Sequence, residues 1–355
     1  MPQADISIRA MARTEHSLVQ LRNSFNANES PRTLERLRWQ YFDMPRKDLY
    51  VDFAVTRLDD PPIAAAYCVI PLAARIRGVP SKIVQSIDTL TDARYRGRGL
   101  FVQLAESVYS RCEADGNVLV FGFPNGSSAH GFFRRLRWTQ MDPVPFVVRP
   151  LKVGYLLRRM GPAFGKLAQA VDFPFPIPKE PRLGPHQKLV EIQSLDTECT
   201  RVWNKFADGI TCAVDRSSEY LRWRLARPGE EYSVYGFFDE GILEGFVIIG
   251  VTHHAKGVTG KLMDVIYVPE RKDVGRILVA YAIRRLREAG CDVVWAWNFG
   301  HSPNHSALRS AGFFAPPQRL LAAELHFGCR PLALEGDMMP TREDWYISLL
   351  DSDTD

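Results

Sequence analysis

The sequence lacks any paired-cysteine motif. Six cysteines (Cys68, Cys112, Cys199, Cys212, Cys291 and Cys329) are scattered through 355 residues without a C-x-x-C. That argues against a zinc ribbon or a disulfide scaffold and fits reduced, buried thiols in a cytoplasmic protein. No run of eighteen apolar residues occurs, so no membrane span is expected. The opening MPQADISIRAMARTEHS carries no apolar signal region. Long Lys/Arg runs are missing too, and a net charge of +4 is too mild to imply a nucleic-acid partner. The neighbours His253 and His254 would point to opposite faces of a strand, so they do not suggest a shared metal, and no metal is expected. What is present is an ordinary globular composition, 46% hydrophobic and 24% charged. It is enough to bury real cores, at a length that suits two domains.

The chain repeats itself. LRW at 37–39 recurs at 221–223, an offset of 184, and a proline follows each copy within a few residues. Gly99 pairs with Gly275 at 176, Ser127 with Ser302 at 175 and Trp138 with Phe313 at 175. A slowly drifting offset is what two copies of one fold with different loops produce. Between them, DFPFPIPKEPRLGPH at 172–186 is proline-rich and reads as a linker. The expected division is 1–150 for the first domain, 151–186 for a helix and linker, 187–330 for the second domain and 331–355 for a C-terminal tail. The amphipathic stretch 153–171 fits a helix packed between domains or one lying on a membrane surface.

The order of elements is readable in the first copy. ISIRAM is a short strand. EHSLVQLRNSF and SPRTLERLRWQYF are helices, the second with Ser30 as N-cap and Pro31 in the first helical position. LYVDFAVTRL and IAAAYCVIPLAARI form an antiparallel pair, and SKIVQSIDTL is a further strand. GRGLFVQLAESVYSRCEADG is a helix with apolar Leu100, Leu104, Val108 and Cys112 on one face. NVLVFGF is a buried strand, GSSAHGFFRRLR a short helix, and VPFVVRPL a strand that closes the unit. The class is mixed α/β.

In this order RYRGRGLF, residues 94–101, sits after a strand and opens a helix. A glycine turn there aims backbone N–H groups at one point, and the helix dipole adds to them. The bare Cα atoms of Gly97 and Gly99 admit a phosphate, and Arg94, Arg96 and Arg98 supply charge and bidentate donors. Taken alone, the same residues also fit a solvated basic turn.

Within its surroundings, DTLTDARYRGRGLFVQL resembles the coenzyme A pyrophosphate loop of the GNAT superfamily of N-acetyltransferases, Arg/Gln-x-x-Gly-x-Gly/Ala. Arg94, Gly97 and Gly99 fill its three fixed places. FGFPNGSSAHGFFRRLRW is similar to the superfamily's next segment, in which an Asn opens a helix that ends near a Gly-aromatic pair. Asn125 takes the first role, and Arg137-Trp138 stands where the pair is usual. The wording is closest to a bacterial subgroup of uncharacterised GNAT proteins. The resemblance implies two tandem GNAT-like domains, each a central mixed, mostly antiparallel sheet with helices on both faces. It implies acetyl-CoA as acyl donor and a primary amine as acceptor. The pantetheine arm would lie along the splayed strand at Thr89, Leu90 and Thr91. The loop residues through Leu100 and Phe101, with Asn125, would hold the rest of the cofactor. Asp88 takes the place of the general base, although a strand-end Asp held by backbone donors fits as well. The usual Tyr acid is replaced by Phe133; His130, on the same helix, fits that role or a surface one.

In the second copy, ERKDVGRI at 270–277 places Glu270 and Asp273 where Arg94 and Gly97 stand. Two like charges about 4 Å apart cost about 4 kcal/mol at an effective dielectric near 20. One intact and one degenerate domain are therefore expected, with Asp264, His301 and His305 as cleft or packing residues. The leading function is acetyl transfer to an amine, with an amino sugar or nucleotide sugar as the favoured acceptor. The alternatives are a non-catalytic CoA-binding sensor and a tandem-GNAT aminoacyl transferase using charged tRNA. The intact loop argues against the last. The tail, with Trp345, Tyr346, Leu349 and Leu350 ahead of Asp351, Asp353 and Asp355, fits either a frayed acidic end or a segment pinned onto a domain that brings its carboxylates to the acceptor cleft, where they would attract a cationic amine.

Overall fold

A computed structural model describes residues 6–56, 62–155, 173–179, 181–255, 257–317, 325–334 and 338–352. The amphipathic stretch 153–171 lies outside these apart from its first three residues, as do Asp353 and Asp355.

Two mixed sheets carry the fold. The first runs β1 (Ile6–Ala10), β2 (Tyr50–Thr56), β3 (Ile63–Ile76), β4 (Val79–Thr91) and β5 (Asn117–Gly122). Its neighbours are antiparallel except β4 and β5, which are parallel. β3 is buried along almost its whole length because helices cover both of its faces. Arg77 and Gly78 join it to β4 with positive φ at both positions, the geometry of a two-residue hairpin turn. The crossover from β4 to β5 is α3 (Leu100–Ala114), whose Leu104, Val108 and Cys112 are fully buried. The second sheet repeats the pattern: β8 (Gln187–Glu191), β10 (Glu231–Asp239), β11 (Ile242–His254), β12 (Gly257–Tyr267) and β13 (Val293–Trp297), with α7 (Lys272–Glu288) as crossover.

Each sheet takes a strand from the other half of the sequence. β7 (Phe146–Pro150), read above as closing the first unit, pairs antiparallel with β13 in the second sheet. In return β14 (Gly328–Pro331) pairs with β5 and with the short β6 (Thr139–Gln140) in the first. β9 (Cys212–Val214) also crosses over to pair with the end of β3. The linear division at 150 and 187 is thus crossed by strands in both directions, and one hydrophobic core runs through both sheets. No helix among the described residues is long and apolar enough to cross a membrane.

The repeated LRW lies at the seam. α2 (Leu34–Tyr41) and α6 (Ser218–Leu225) bring Trp39 and Trp223 together, ring centroids 4.9 Å apart and 10° from parallel. Each indole N–H donates to the other's carbonyl, at 2.7 and 2.9 Å. It is the self-complementary contact expected at a two-fold axis, formed here within one chain. α2 begins later than expected. Thr33, not Ser30, is its N-cap, accepting from the Arg36 amide at 3.1 Å. The Arg32 amide is taken by the Asn26 side chain at 3.0 Å, which keeps Pro31 and Arg32 outside the helix.

Candidate active site

β4 and β5 pair from Lys82 and Asn117 as far as Ser86 and Gly122, and there they part. β4 continues to Thr91 against β3 alone. At the parting point Asp88 and Thr89 together oppose the single residue Tyr67, a bulge, and Asp88 takes a φ of +44°. The wedge opens into a cavity of about 310 Å³, lined among others by Arg32, Ser86, Asp88, Thr89, Asn125 and Trp138.

Asp88 sits in this wall with its carboxylate fully engaged. One oxygen accepts from the Arg32 guanidinium at 3.0 Å. The other accepts from the Tyr41 hydroxyl at 3.0 Å and from the Gln40 amide. Burial, and then the neighbouring Asp88, push the Tyr41 phenol well up, so it stays a donor. A proton arriving at Asp88 would displace one of these donors. Arg32, Gln40 and Tyr41 were not anticipated. The signal for Arg32 was in the repeat, since Arg216 stands in the same position ahead of the second LRW.

The glycine turn follows β4. Gly97 and Gly99 have φ of +79° and +77°, and Gly99 is the N-cap of α3. A Cβ at Gly97 would meet nothing within 4 Å. These glycines are therefore required by backbone conformation, not by crowding. Arg94, Arg96 and Arg98 are exposed. Arg94 forms a two-pronged pair with Asp92 at 2.9 and 3.0 Å, and this contact holds the Asp92 carboxyl below the usual carboxylate range. Arg98 lies over the Tyr95 ring and Arg96 donates to the Thr91 carbonyl. Thr89, Leu90, Thr91 and Phe101 are half-buried, and Leu100 is buried in the core under α3.

Asn125 caps α4 (Gly126–His130), accepting from the Ser128 amide at 3.0 Å, and lines the cavity. His130 is exposed at the far end of α4 and does not line the cavity with Asp88. Phe133 packs edge-on to His326. Arg137, standing where the resemblance has Gly, adopts a φ of +57°, so the glycine-type turn is kept without the glycine.

The second half treats the same positions differently. Arg216 pairs with Asp264 at 3.1 Å, as Arg32 does with Asp88, but both side chains are fully buried. The C-terminal segment covers them. Ser348 and Tyr346 donate to Asp264, and Asp351 takes the other edge of Arg216 at 2.6 Å. Trp345 and Leu350 are each 1% exposed. The tail is thus strapped down as far as Ser352, and Asp351 faces Arg216, away from any open cleft. His301 bonds the Trp345 carbonyl at 3.0 Å, and His305 opens α8 (His305–Ser310). At the turn, Arg271 is the N-cap of α7 and pairs with Asp273. Gly275, matched above with Gly99, lies inside α7. A Cβ there would fall 2.6 Å from the Tyr267 ring, so this glycine serves packing and does not correspond to the N-cap Gly99.

Residues 8–141 match the model of the acetyltransferase (GNAT) domain. Over that stretch the chain is similar to a GNAT domain. More than nine-tenths of the chain's length, 92–93%, is also similar to solved structures. Saccharomyces cerevisiae N-myristoyltransferase with bound myristoyl-CoA aligns at a TM-score of 0.61 and 12% identity, covering 93% of this chain and 83% of that one. A GCN5-related N-acetyltransferase from Anabaena variabilis aligns at 0.61 and 11%, covering 92% and 73%. A probable N-acyltransferase from Enterococcus faecalis aligns at 0.60 and 12%, with the same coverage. At such identities the likeness establishes the fold: two GNAT-like halves, of which the first matches the family model. No curated protein matches the chain. The family-model match and the shared fold support an acyltransferase.

Proposed function

We propose that the chain transfers an acyl group from a CoA thioester to a primary amine, using the first half alone. The observation that carries this reading is the left-handed glycine turn at the N-terminus of α3, placed directly after the strand that parts from β5 over a cavity of about 310 Å³. Exposed N–H groups, helix dipole and three arginines give the turn the chemistry of a diphosphate site. Residues 89–91 have the free strand edge that a pantetheine arm requires. The second half has Asp273 and Arg271 in place of that turn and a strapped-down pocket, which supports one donor site per chain.

The amine must lose a proton before it attacks, which at pH 7 costs about 4 kcal/mol for an alkyl amine of pKa near 10. Asp88 lines the cavity wall and is the proposed acceptor of that proton, with Tyr41 or Gln40 giving way. Acetyl-CoA is the proposed donor and an amino sugar or nucleotide sugar the proposed acceptor. His130 is exposed and does not line the cavity, which argues against it as the acid. A second reading, binding of CoA without turnover, draws support from the saturated carboxylate of Asp88 and from Phe133. Release of free thiol from acetyl-CoA across a panel of amino sugars, polyamines and peptide amines separates the two. Turnover with any of them supports transfer. Tight binding with no thiol released by any amine supports the second reading.

A further inference from the structure

Four side chains, from β3, β4, α3 and the loop before β6, form one hydrogen-bonded chain that ends in the cavity. The Trp138 indole N–H donates to the Tyr109 hydroxyl at 3.1 Å. The Tyr109 and Tyr67 hydroxyls are 2.5 Å apart, and the Tyr67 and Ser86 hydroxyls 2.9 Å. All four residues are at most 5% exposed, and Ser86 and Trp138 line the cavity.

The direction of this chain follows from its far end. An indole nitrogen can only donate, so the Tyr109 oxygen accepts. Tyr109 then has Tyr67 as the acceptor for its own proton, Tyr67 has Ser86, and the Ser86 proton is left over. Run the other way, the chain would leave the Tyr109 proton without an acceptor inside the core, which is the costlier arrangement. Burial pushes both phenols well up, so neither loses its proton and the direction holds across the working pH range. The fold itself does not need these groups. In the second half Ile283 and Phe313 are buried where Tyr109 and Trp138 stand, and the buried Leu262, two residues before Asp264 as Ser86 is before Asp88, takes the place of Ser86.

We infer that the Ser86 hydroxyl, aimed into the cavity by Trp138, Tyr109 and Tyr67, donates a hydrogen bond to the acyl oxygen of the bound thioester. This rests on the acyl-CoA reading above. As the amine attacks, the carbonyl π electrons move onto that oxygen, and a fixed donor stabilises the charge that develops there. No proton leaves Ser86; the amine proton goes to base and the thiolate leaves with the sulfur electrons. Ser86 is then a catalytic residue, and the other three are positioning residues.

The test uses the full chain and acetyl-CoA carrying ¹³C at the acetyl carbonyl, with affinity from calorimetry and the carbonyl band from difference infrared spectroscopy. The band should lie lower in the bound state than in water. It should rise in Ser86→Ala at unchanged affinity and return in Ser86→Thr. Tyr67→Phe, which leaves the Ser86 proton undirected, should shift it part of the way. Removing one such donor should lower kcat by about 10²-fold with KM for acetyl-CoA unchanged. An identical band in the unsubstituted chain and Ser86→Ala, with acetyl-CoA bound to both, overturns the assignment but leaves the acyl-CoA reading standing. No binding to the unsubstituted chain overturns both.

Discussion

Gly97→Asp separates the two demands made on the glycine turn. The φ of +79° disfavours any L side chain, and the space beyond the Cα is open. Gly97→Ala therefore carries backbone strain of about 1–2 kcal/mol and no clash. That strain falls on the free and bound states alike as long as the turn keeps its shape, so affinity for CoA should change little. Gly97→Asp adds a carboxylate about 4 Å from a diphosphate. The repulsion is about 1 kcal/mol in bulk water and about 4 at the effective dielectric of a protein surface. The turn is exposed, which favours the middle of that range, about 2–3 kcal/mol or a 30- to 150-fold loss of affinity. Calorimetry with CoA on the unsubstituted chain, Gly97→Ala and Gly97→Asp, at two salt concentrations, measures each part. The gap between the two variants should narrow at high salt, because exposed charges are screened. If Gly97→Asp binds within threefold of Gly97→Ala, the diphosphate does not sit at this turn and the reasoning fails.

Two further outcomes are expected. Asp88→Asn should lower turnover by about a hundredfold, the usual reach of general-base catalysis, with CoA affinity unchanged; equal activity would make Asp88 a structural anchor for Arg32 and the bulge. Asp351→Ala should destabilise the fold by about 3–5 kcal/mol in urea unfolding, because it removes one carboxylate from the fully buried Arg216; a loss below about 1 kcal/mol would mean that the strap contributes little.

The turn at residues 94–99 was legible because its chemistry is local: two glycines that need positive φ, placed between a strand and a helix. The two-fold repeat was legible from LRW, and its meaning became plain when Trp39 and Trp223 met face to face. The strand exchange was not legible. VPFVVRPL is apolar and β-branched enough for either sheet, and nothing within the segment says which edge it joins. The match of Gly99 with Gly275 misled for a related reason. α7 is two residues longer than α3 and lacks the turn, so the two glycines do unlike work. The partners of Asp88 lie 47 to 56 residues away in sequence, and the hydroxyl chain to Ser86 draws on three elements and a loop. Contacts of that range leave no periodic trace in a single sequence. They are set by the bulge at Asp88 and by the packing of α3 on β3.

The central claim is that one half of a two-fold architecture keeps the donor site and the other has closed it. Calorimetric titration of the full chain with acetyl-CoA tests this most directly. The account predicts one site per chain, weakened about 30- to 150-fold in Gly97→Asp and untouched by Asp273→Gly. Two equivalent sites per chain, or binding that survives Gly97→Asp at full affinity, would contradict it.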